Sequence, residues 1–160
     1  MPANEWAMVQ GRVCYVCCDV FVTSLATQRP RVLLLRRKGG QADGQWWCAG
    51  GRLQKGEELR HCVTRHTARE TGIPLEPWDP LSLLGVGRTA FADPPPSGVD
   101  TVNLAFHVLC LPDGRNPRVA LDEYHSYFTW ASETDLGSLQ LHQYIDAFSR
   151  LALRRASQPR

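Results

Sequence analysis

The sequence lacks any long apolar run. No stretch approaches the roughly 18 consecutive apolar residues that a membrane-spanning helix requires. Residues 1–10 also contain no apolar segment of the kind found in secretory signals. We therefore expect a cytoplasmic protein without a membrane partner. In that compartment the six cysteines are expected to stay reduced rather than form disulfides.

Excess charge and repeated metal-binding motifs are also scarce. The formal net charge is only +2 and the basic residues form no stripe, so we expect no nucleic-acid partner. Cys14 and Cys17 have the spacing of a metal-binding pair, but they lie in an apolar, β-branched segment where residues three apart point to opposite faces. No second pair follows, which disfavours a structural zinc site.

The apolar pattern predicts a small α/β protein. A chain of 160 residues has the size of one domain, and we assign residues 1–160 to a single domain. The pattern predicts strands over 13–22, 31–37, 46–48, 81–91, 101–111 and 124–131, and helices over 57–71 and 139–155. Turns or loops are expected at 24–30, 38–45, 93–98 and 112–114. This order of elements favours an α/β or α+β sandwich with helices packed on a mixed sheet.

The strongest functional signal lies in residues 50–73, which read GGRLQKGEELRHCVTRHTARETGI. This segment resembles the Nudix box, G-x5-E-x7-R-E-U-x-E-E-x-G-U, in which U is an aliphatic residue. Six positions are in register with the box: Gly51, Glu57, Arg65, Glu70, Gly72 and Ile73. Three positions depart from it, because His66 and Arg69 replace glutamates and Thr67 replaces an aliphatic residue.

The spacing within this segment has a physical meaning. Residues 66, 69 and 70 are three and four positions apart, so they share one face of the predicted helix. Glu57 and Arg65 are placed to form an ion pair that fixes the preceding loop. Arg69 in place of a glutamate makes the binding of several metal ions unfavourable. The alternative interpretation is a solvated surface helix with a simple His66–Glu70 pair.

One Nudix subfamily, the GDP-mannose mannosyl hydrolases, shares the loss of these glutamates. Its box is similar to the GGR-x-QK-x-E of this chain, formed by Gly50, Gly51, Arg52, Gln54, Lys55 and Glu57. Its D-E-Q-H-x4-W motif is similar to residues 122–130, DEYHSYFTW. The resemblance implies a Nudix-type α/β/α sandwich with a mixed sheet. It also implies a metal-dependent hydrolase of a nucleoside-diphosphate sugar, in which water attacks the anomeric carbon and a nucleoside diphosphate leaves.

The resemblance further implies roles for individual residues. His125 matches the general base, Arg37 the arginine that stabilises the leaving group, and Asp19 a ligand of a sugar hydroxyl. Arg36 and Arg52 are implied for substrate binding, and Arg52 and Arg65 are also among the implied catalytic residues. Gly51, Glu57 and Arg65 are implied to support the loop. The implied ligands of Mg²⁺ or Mn²⁺ are the Gly50 carbonyl, Glu70 and Tyr124. Tyr124 stands where the family has glutamine, and a neutral phenol is a poor metal ligand. The family forms homodimers, so a homodimer is one state that the resemblance allows.

Two other functions fit the same residues. An ordinary Nudix pyrophosphatase would cleave a phosphoanhydride bond of a nucleotide with a rearranged site. A non-catalytic nucleotide-binding module would keep the fold without turnover, as the missing glutamates allow. The base pocket stays unspecified, because Trp46, Trp47, Phe91 and Trp130 suit both stacking on a base and packing in the core.

Overall fold

The structure of the protein is a computed structural model that describes Glu5 and residues 12–26, 29–77, 79–91, 99–110 and 116–158. Its strands are β1 (Tyr15–Ser24), β2 (Arg31–Arg37), β3 (Trp46–Trp47), β4 (Ala49–Arg52), β5 (Leu81–Phe91), β6 (Val99–Cys110) and β7 (His125–Ala131). Its helices are α1 (Leu59–Thr71), α2 (Glu133–Leu136) and α3 (Gln143–Ala156). Strands thus make up most of the described elements, as the apolar pattern predicts.

All seven strands join one mixed sheet built around a parallel pair. β1 runs parallel to β6 from Tyr15–Thr101 to Ser24–Cys110, and β5 pairs antiparallel with the far side of β6. The other edge of β1 is divided between two antiparallel strands. β4 pairs with it opposite residues 17–20, whereas β2 pairs only with its last two residues and continues to β3 and β7. β4 therefore fills the edge that β2 leaves, and the functional residues lie around this divergence.

The sheet has an apolar core on each face. Alternation along β2 sends Leu33 and Leu35 into the cluster that includes Cys62 and Val63 of α1. Val32 and Leu34, which alternate with them, enter the opposite cluster. That cluster contains four buried residues of α3: Tyr144, Ile145, Ala152 and Leu153. One helix therefore covers each face of the sheet, which gives the α/β/α sandwich expected from the sequence.

The end of α1 requires glycine for two reasons. Gly72 has φ of 69°, a left-handed conformation that side chains disfavour, and its N–H donates to the Ala68 carbonyl at 2.9 Å. A Cβ added at Gly72 would also lie 2.9 Å from the Cβ of Ala120. Gly72 is thus the glycine that ends α1.

The predicted fold class is confirmed, with differences at the ends of some elements. α3 begins at Gln143 rather than at residue 139, because the His142 side chain caps it by accepting from the Tyr144 N–H at 3.2 Å. The loop predicted at 93–98 and the turn predicted at 112–114 lie outside the described residues. Within the described ranges, no helix has the length and apolar character needed to cross a membrane.

Candidate active site

The loop before α1 is held by an ion pair. Nε and Nη2 of Arg65 each donate to the Glu57 carboxylate at 2.7 Å, and the Gln54 N–H donates to it at 3.0 Å. The Arg65 guanidinium lowers the pKa of Glu57 to about 2, so this carboxylate is ionised at neutral pH. Arg65 also donates to the Arg52 carbonyl at 3.2 Å. The expected Glu57–Arg65 pair is thus present, and it joins α1 to the loop and to β4.

Glu70 is the centre of a buried cluster on α1. Its side chain is 5% exposed and accepts hydrogen bonds from the Gly50 N–H at 3.0 Å, from His66 Nδ1 at 2.9 Å and from Arg69 Nη2 at 2.6 Å. Burial alone would raise the pKa of Glu70, but these donors hold it below its ordinary value. Glu70 is therefore ionised, and its bond to Gly50 ties β4 to α1.

His66 carries the positive charge that faces Glu70. Burial opposes its protonation, but hydrogen bonds with the Cys62 thiol and the Glu70 carboxylate prevail and raise the pKa of His66 to about 9. In the charged form Nδ1 donates to Glu70 and Nε2 to the Arg52 carbonyl, 3.3 Å away. A Cβ built at Gly51 would lie 2.5 Å from Cε1 of this ring. Glycine at position 51 therefore makes room for the histidine.

The oxygen donors of this cluster do not fit a divalent metal ion. A hard cation such as Mg²⁺ prefers several carboxylate or carbonyl oxygens. Here His66 and Arg69 stand at two of the three positions where the Nudix box has glutamate. Both oxygens of the remaining carboxylate, Glu70, already accept hydrogen bonds. Tyr124, the predicted side-chain ligand besides Glu70, is a phenol that is 60% exposed. In the part of the chain that the structure describes, no three His, Cys, Asp or Glu residues are grouped to hold a metal.

Asp122 and His125 form a second pair before and at the start of β7. Nδ1 of His125 lies 2.7 Å from Oδ1 of Asp122, and the two side chains are only 8% and 13% exposed. The Tyr124 N–H donates to the same aspartate oxygen at 3.1 Å. Since the carboxylate engages Nδ1, Nε2 is the ring nitrogen that would accept a proton from water. An imidazole oriented in this way suits a general base.

A cavity of about 320 Å³, which we call the histidine cavity, brings these groups together. Arg37 reaches it because β2 and β7 shift register between Arg36 and Arg37, which pairs Arg37 with His125. The polar residues of its lining are Arg37, Lys38, Arg69, Glu70, Asp122 and His125, and the backbone of Gly50 lines it as well. A carboxylate-held histidine and three cationic residues therefore line one space.

A second cavity, of about 170 Å³, shares Arg37 and Gly50 with the first. We call it the aspartate cavity, because Asp19 lies in its wall. Its other polar residues include Gln41, Arg52, Thr89, Thr101 and Asn103. Trp47 and Phe91 add aromatic surface, with ring centroids 5.3 Å apart, and the Arg52 guanidinium stacks on the Tyr15 ring at 4.0 Å.

The aspartate cavity contains buried acceptors beside the Tyr144 hydroxyl. Oδ2 of Asp19 and Oδ1 of Asn103 are buried and accept no hydrogen bond of normal length and angle from the described residues, although the Tyr144 hydroxyl interacts with both side chains. Asn103 uses its Nδ2 to donate to the Thr89 hydroxyl at 3.0 Å, which leaves the oxygen for another donor. Burial raises the pKa of Asp19 to about 7. These acceptors suit a ligand that donates hydrogen bonds, such as a sugar hydroxyl or the N–H of a base.

We expect Asp19→Asn to stabilise the protein more at pH 8 than at pH 4. The pKa of Asp19 is raised from 3.8 to about 7 on folding, so ionisation of this carboxyl costs stability as the pH rises through that window. A neutral amide avoids the cost, which is on the order of 4 kcal/mol at pH 8. Urea unfolding of both proteins at the two pH values measures it. An equal effect at pH 4 and pH 8 would show that Asp19 does not titrate in this way.

The structure brings most of the predicted site residues together and leaves three of them, Arg36, Glu57 and Arg65, outside both cavities. Arg37, Gly50, Glu70, Tyr124 and His125 line the histidine cavity, and Asp19, Gly51 and Arg52 line the aspartate cavity. Arg36 lines neither, because successive residues of β2 alternate; it is exposed and donates to the Gly44 carbonyl at 3.2 Å. Arg65 also lines neither cavity, and its contacts with Glu57 and Arg52 fit support of the loop rather than contact with a substrate.

Some residues of the cavities were not expected from the sequence. Lys38 and Asn103 carried no recognisable signal, since Asn103 reaches its cavity through the pairing of β6 with β1 and β5, and Lys38 lies in the loop after β2, held by a bond from its N–H to the Tyr124 carbonyl. Asp122 had a usable signal, its position three residues before His125 in the D-E-x-H motif. Among the four aromatic residues considered for base stacking, Trp130 is in the core, Trp46 packs against the core, and Trp47 and Phe91 line the aspartate cavity.

Comparison with known proteins identifies the family. Residues 18–153 match the family model described as the NUDIX domain, which covers most of the chain. The chain therefore belongs to the Nudix hydrolase family, as the box predicts. The relatives described next carry names other than GDP-mannose hydrolase, so they support the family and not that subfamily.

Three similar proteins illustrate the range of the family. A mouse protein named 8-oxo-dGDP phosphatase NUDT18 is 29% identical over 117 residues, which are 71% of this chain and 35% of that protein. The chain thus spans about a third of the length of this relative. The NUDIX domain of Shewanella oneidensis NrtR, solved with ADP ribose, has a TM-score of 0.73 at 18% identity and covers 98% of this chain and 100% of its own. The MutT protein from Methanosarcina mazei Go1 has a TM-score of 0.68 at 21% identity, with 90% of this chain and 96% of its own covered. At these identities the two structures show a common fold alone.

Proposed function

We propose that this chain hydrolyses a nucleoside-diphosphate sugar at the anomeric carbon. One observation carries the proposal: the Asp122–His125 pair, with a nitrogen-to-oxygen distance of 2.7 Å, lies in the same cavity as three cationic side chains. A general base for water and a cationic site for the leaving diphosphate are the two groups that this reaction requires. GDP-mannose is the substrate that the sequence resemblance implies.

The reaction proceeds by displacement at carbon. The water oxygen forms a bond to the anomeric carbon while Nε2 of His125 accepts a proton from the water. The bond between that carbon and the diphosphate oxygen breaks, and the nucleoside diphosphate leaves with the electron pair. Arg37 and Arg69 would neutralise the charge on the departing diphosphate. Because a diphosphate is a good leaving group, this step does not need the carboxylate cluster that the chain lacks.

The aspartate cavity would hold another part of the substrate. It shares Arg37 and Gly50 with the histidine cavity, so one ligand can extend from one cavity into the other. Oδ2 of Asp19 and Oδ1 of Asn103 would accept hydrogen bonds from its hydroxyl or N–H groups. Arg52, fixed on the Tyr15 ring, would add a positive charge at this end.

A second candidate is cleavage at phosphorus in a nucleoside diphosphate. It is favoured by the mouse relative, whose name gives 8-oxo-dGDP as its substrate. A guanine derivative carries N–H donors that suit the buried acceptors of Asp19 and Asn103. A third candidate is a nucleotide-binding module without turnover, which the cations at positions 66 and 69 favour.

Other features of the chain stay predictions. Nudix hydrolases generally use divalent metal ions, but the donors around Glu70 do not fit one, so no step of the proposal depends on Mg²⁺ or Mn²⁺. The single domain over residues 1–160, the cytoplasmic location, the absence of a nucleic-acid partner and the homodimer also await tests.

Product analysis in ¹⁸O-labelled water tests the proposal directly. Purified protein is incubated with nucleotide sugars, including GDP-mannose, and with 8-oxo-dGDP, in Mg²⁺ and in EDTA. We expect free sugar that carries the label, together with an unlabelled nucleoside diphosphate. Label in a phosphate group would mean attack at phosphorus and favour the second candidate. No product, combined with thermal stabilisation by one of the nucleotides, would leave the binding module.

A further inference from the structure

The histidine cavity has a positive field that no bound cation is needed to create. Arg37, Lys38 and Arg69 line it, and only two carboxylates, Glu70 and Asp122, oppose them. Glu70 is paired with His66 at 2.9 Å and with Arg69 at 2.6 Å, and Asp122 accepts from Nδ1 of His125 at 2.7 Å. The three lining cations exceed the two carboxylates by one positive charge. The excess positive charge therefore remains available for an anionic ligand.

Arg69 is fixed at the rim of this cavity. Its Nη2 donates to Oε1 of Glu70 at 2.6 Å, and Glu70 itself is 5% exposed and bonded to the Gly50 N–H. The side chain of Arg69 is nevertheless 52% exposed, so a ligand can reach it. A guanidinium held at one nitrogen keeps its other donors in a rigid fork that matches phosphate oxygens.

The opposite wall leaves room for a ligand. A Cβ added at Gly39 or Gly40 would meet no atom within 4 Å, so this part of the cavity is open. Lys38 precedes these glycines, and its backbone N–H donates to the Tyr124 carbonyl at 2.8 Å, which anchors the loop beside His125. The cationic side chains of β2, of this loop and of α1 thus surround one accessible volume.

We propose that Arg69 takes the place of the metal ion, so that the histidine cavity binds the diphosphate of a nucleoside diphosphate directly and without a divalent cation. Glu70 is then a positioning residue for Arg69 and not a metal ligand. The proposal rests on the proposed function for the nature of the ligand, a nucleoside diphosphate. It concerns binding, however, and can hold or fail independently of turnover.

Calorimetric titration with GDP tests the proposal. The wild-type protein, Arg69→Gln, Arg69→Glu and the control Arg155→Gln are each titrated in Mg²⁺ and in EDTA. Arg155 is an exposed arginine in the last turn of α3, and its loss removes the same charge outside both cavities. Thermal melting of each variant checks that it folds.

We expect the wild type and Arg155→Gln to bind GDP with the same Kd in EDTA and in Mg²⁺. Arg69→Gln should weaken binding about tenfold in both, since it removes a charge-assisted hydrogen bond. Arg69→Glu restores a carboxylate beside Glu70, so its binding should be weak in EDTA and recover in Mg²⁺. Loss of wild-type binding in EDTA, or absence of GDP binding in both buffers, would overturn the proposal. Turnover combined with EDTA-sensitive binding would overturn the metal-free binding proposal and leave the proposed function intact. EDTA-resistant binding without turnover would support metal-free binding and overturn the proposed function.

Discussion

Replacing His125 by alanine is expected to lower the rate of hydrolysis by about 10²–10⁴-fold, the usual contribution of a general base. In the proposed reaction the imidazole takes the proton from water, and Asp122 holds the ring in place with a nitrogen-to-oxygen distance of 2.7 Å. Binding of the nucleotide should change little, because the cations of the histidine cavity are untouched. Steady-state kinetics on the substrate found by product analysis, with GDP titration alongside, separates the two effects.

His61 supplies a matched control for this experiment. It is an exposed histidine on α1 that lines neither cavity, so His61→Ala should keep wild-type turnover. Asp122→Asn should lower kcat with little change in KM, because it disturbs the orientation of His125 without removing the ring. A His125→Ala variant with more than a tenth of wild-type turnover would remove His125 from the role of base.

Glu70→Gln is expected to reduce the free energy of unfolding by about 3 kcal/mol at pH 6, as is typical when one partner of a buried ion pair is removed. The change leaves the charged ring of His66 buried without its carboxylate and weakens the bond to the Gly50 N–H. Chemical denaturation of both proteins measures the loss. Glu58→Gln is the control, since Glu58 is exposed and its side chain forms no capping hydrogen bond at the start of α1.

The loss of unfolding free energy caused by Glu70→Gln should depend on pH. The pKa of His66 is raised from 6.5 to about 9 on folding, so the stability contributed by its charge is complete below pH 6.5 and is lost as the pH rises through 9. The difference between wild type and Glu70→Gln should therefore shrink between pH 6 and pH 9.5. A difference that stays constant over this range would mean that His66 is neutral in the folded protein.

The local parts of the site could be predicted from the sequence. Residues three and four apart on a helix share a face whatever the rest of the chain does, so the His66–Glu70 contact follows from spacing alone. The ion pair of Glu57 and Arg65 likewise needs only the loop and the first turns of α1. Six of the seven strands and both long helices were predicted for the same reason, because their apolar periods lie in consecutive residues, whereas β4 and the short helix α2 were not predicted.

The parts that depend on strand register could not be predicted in this way. Asp19, Thr89 and Asn103 come together because β1, β6 and β5 pair side by side, and a single sequence does not reveal that register. The hydrogen bonds around Glu70 were equally hidden. The Nudix box marks which residues carry oxygen, but it does not show that Arg69 and His66 occupy the oxygens that a metal would use.

Arg37 and Gly50 are common to the two cavities, and this sharing bears on how such a protein can evolve. Substitutions at Thr89 or Asn103 can alter which ligand is accepted while the Asp122–His125 pair stays intact. Gly50 has no such freedom, because an added Cβ would lie 2.5 Å from the Cys18 carbonyl oxygen. On the proposed function, ligand preference can therefore drift between lineages while the reaction is retained, and a mutant library confined to the aspartate cavity would sample new ligands without changing the Asp122–His125 pair.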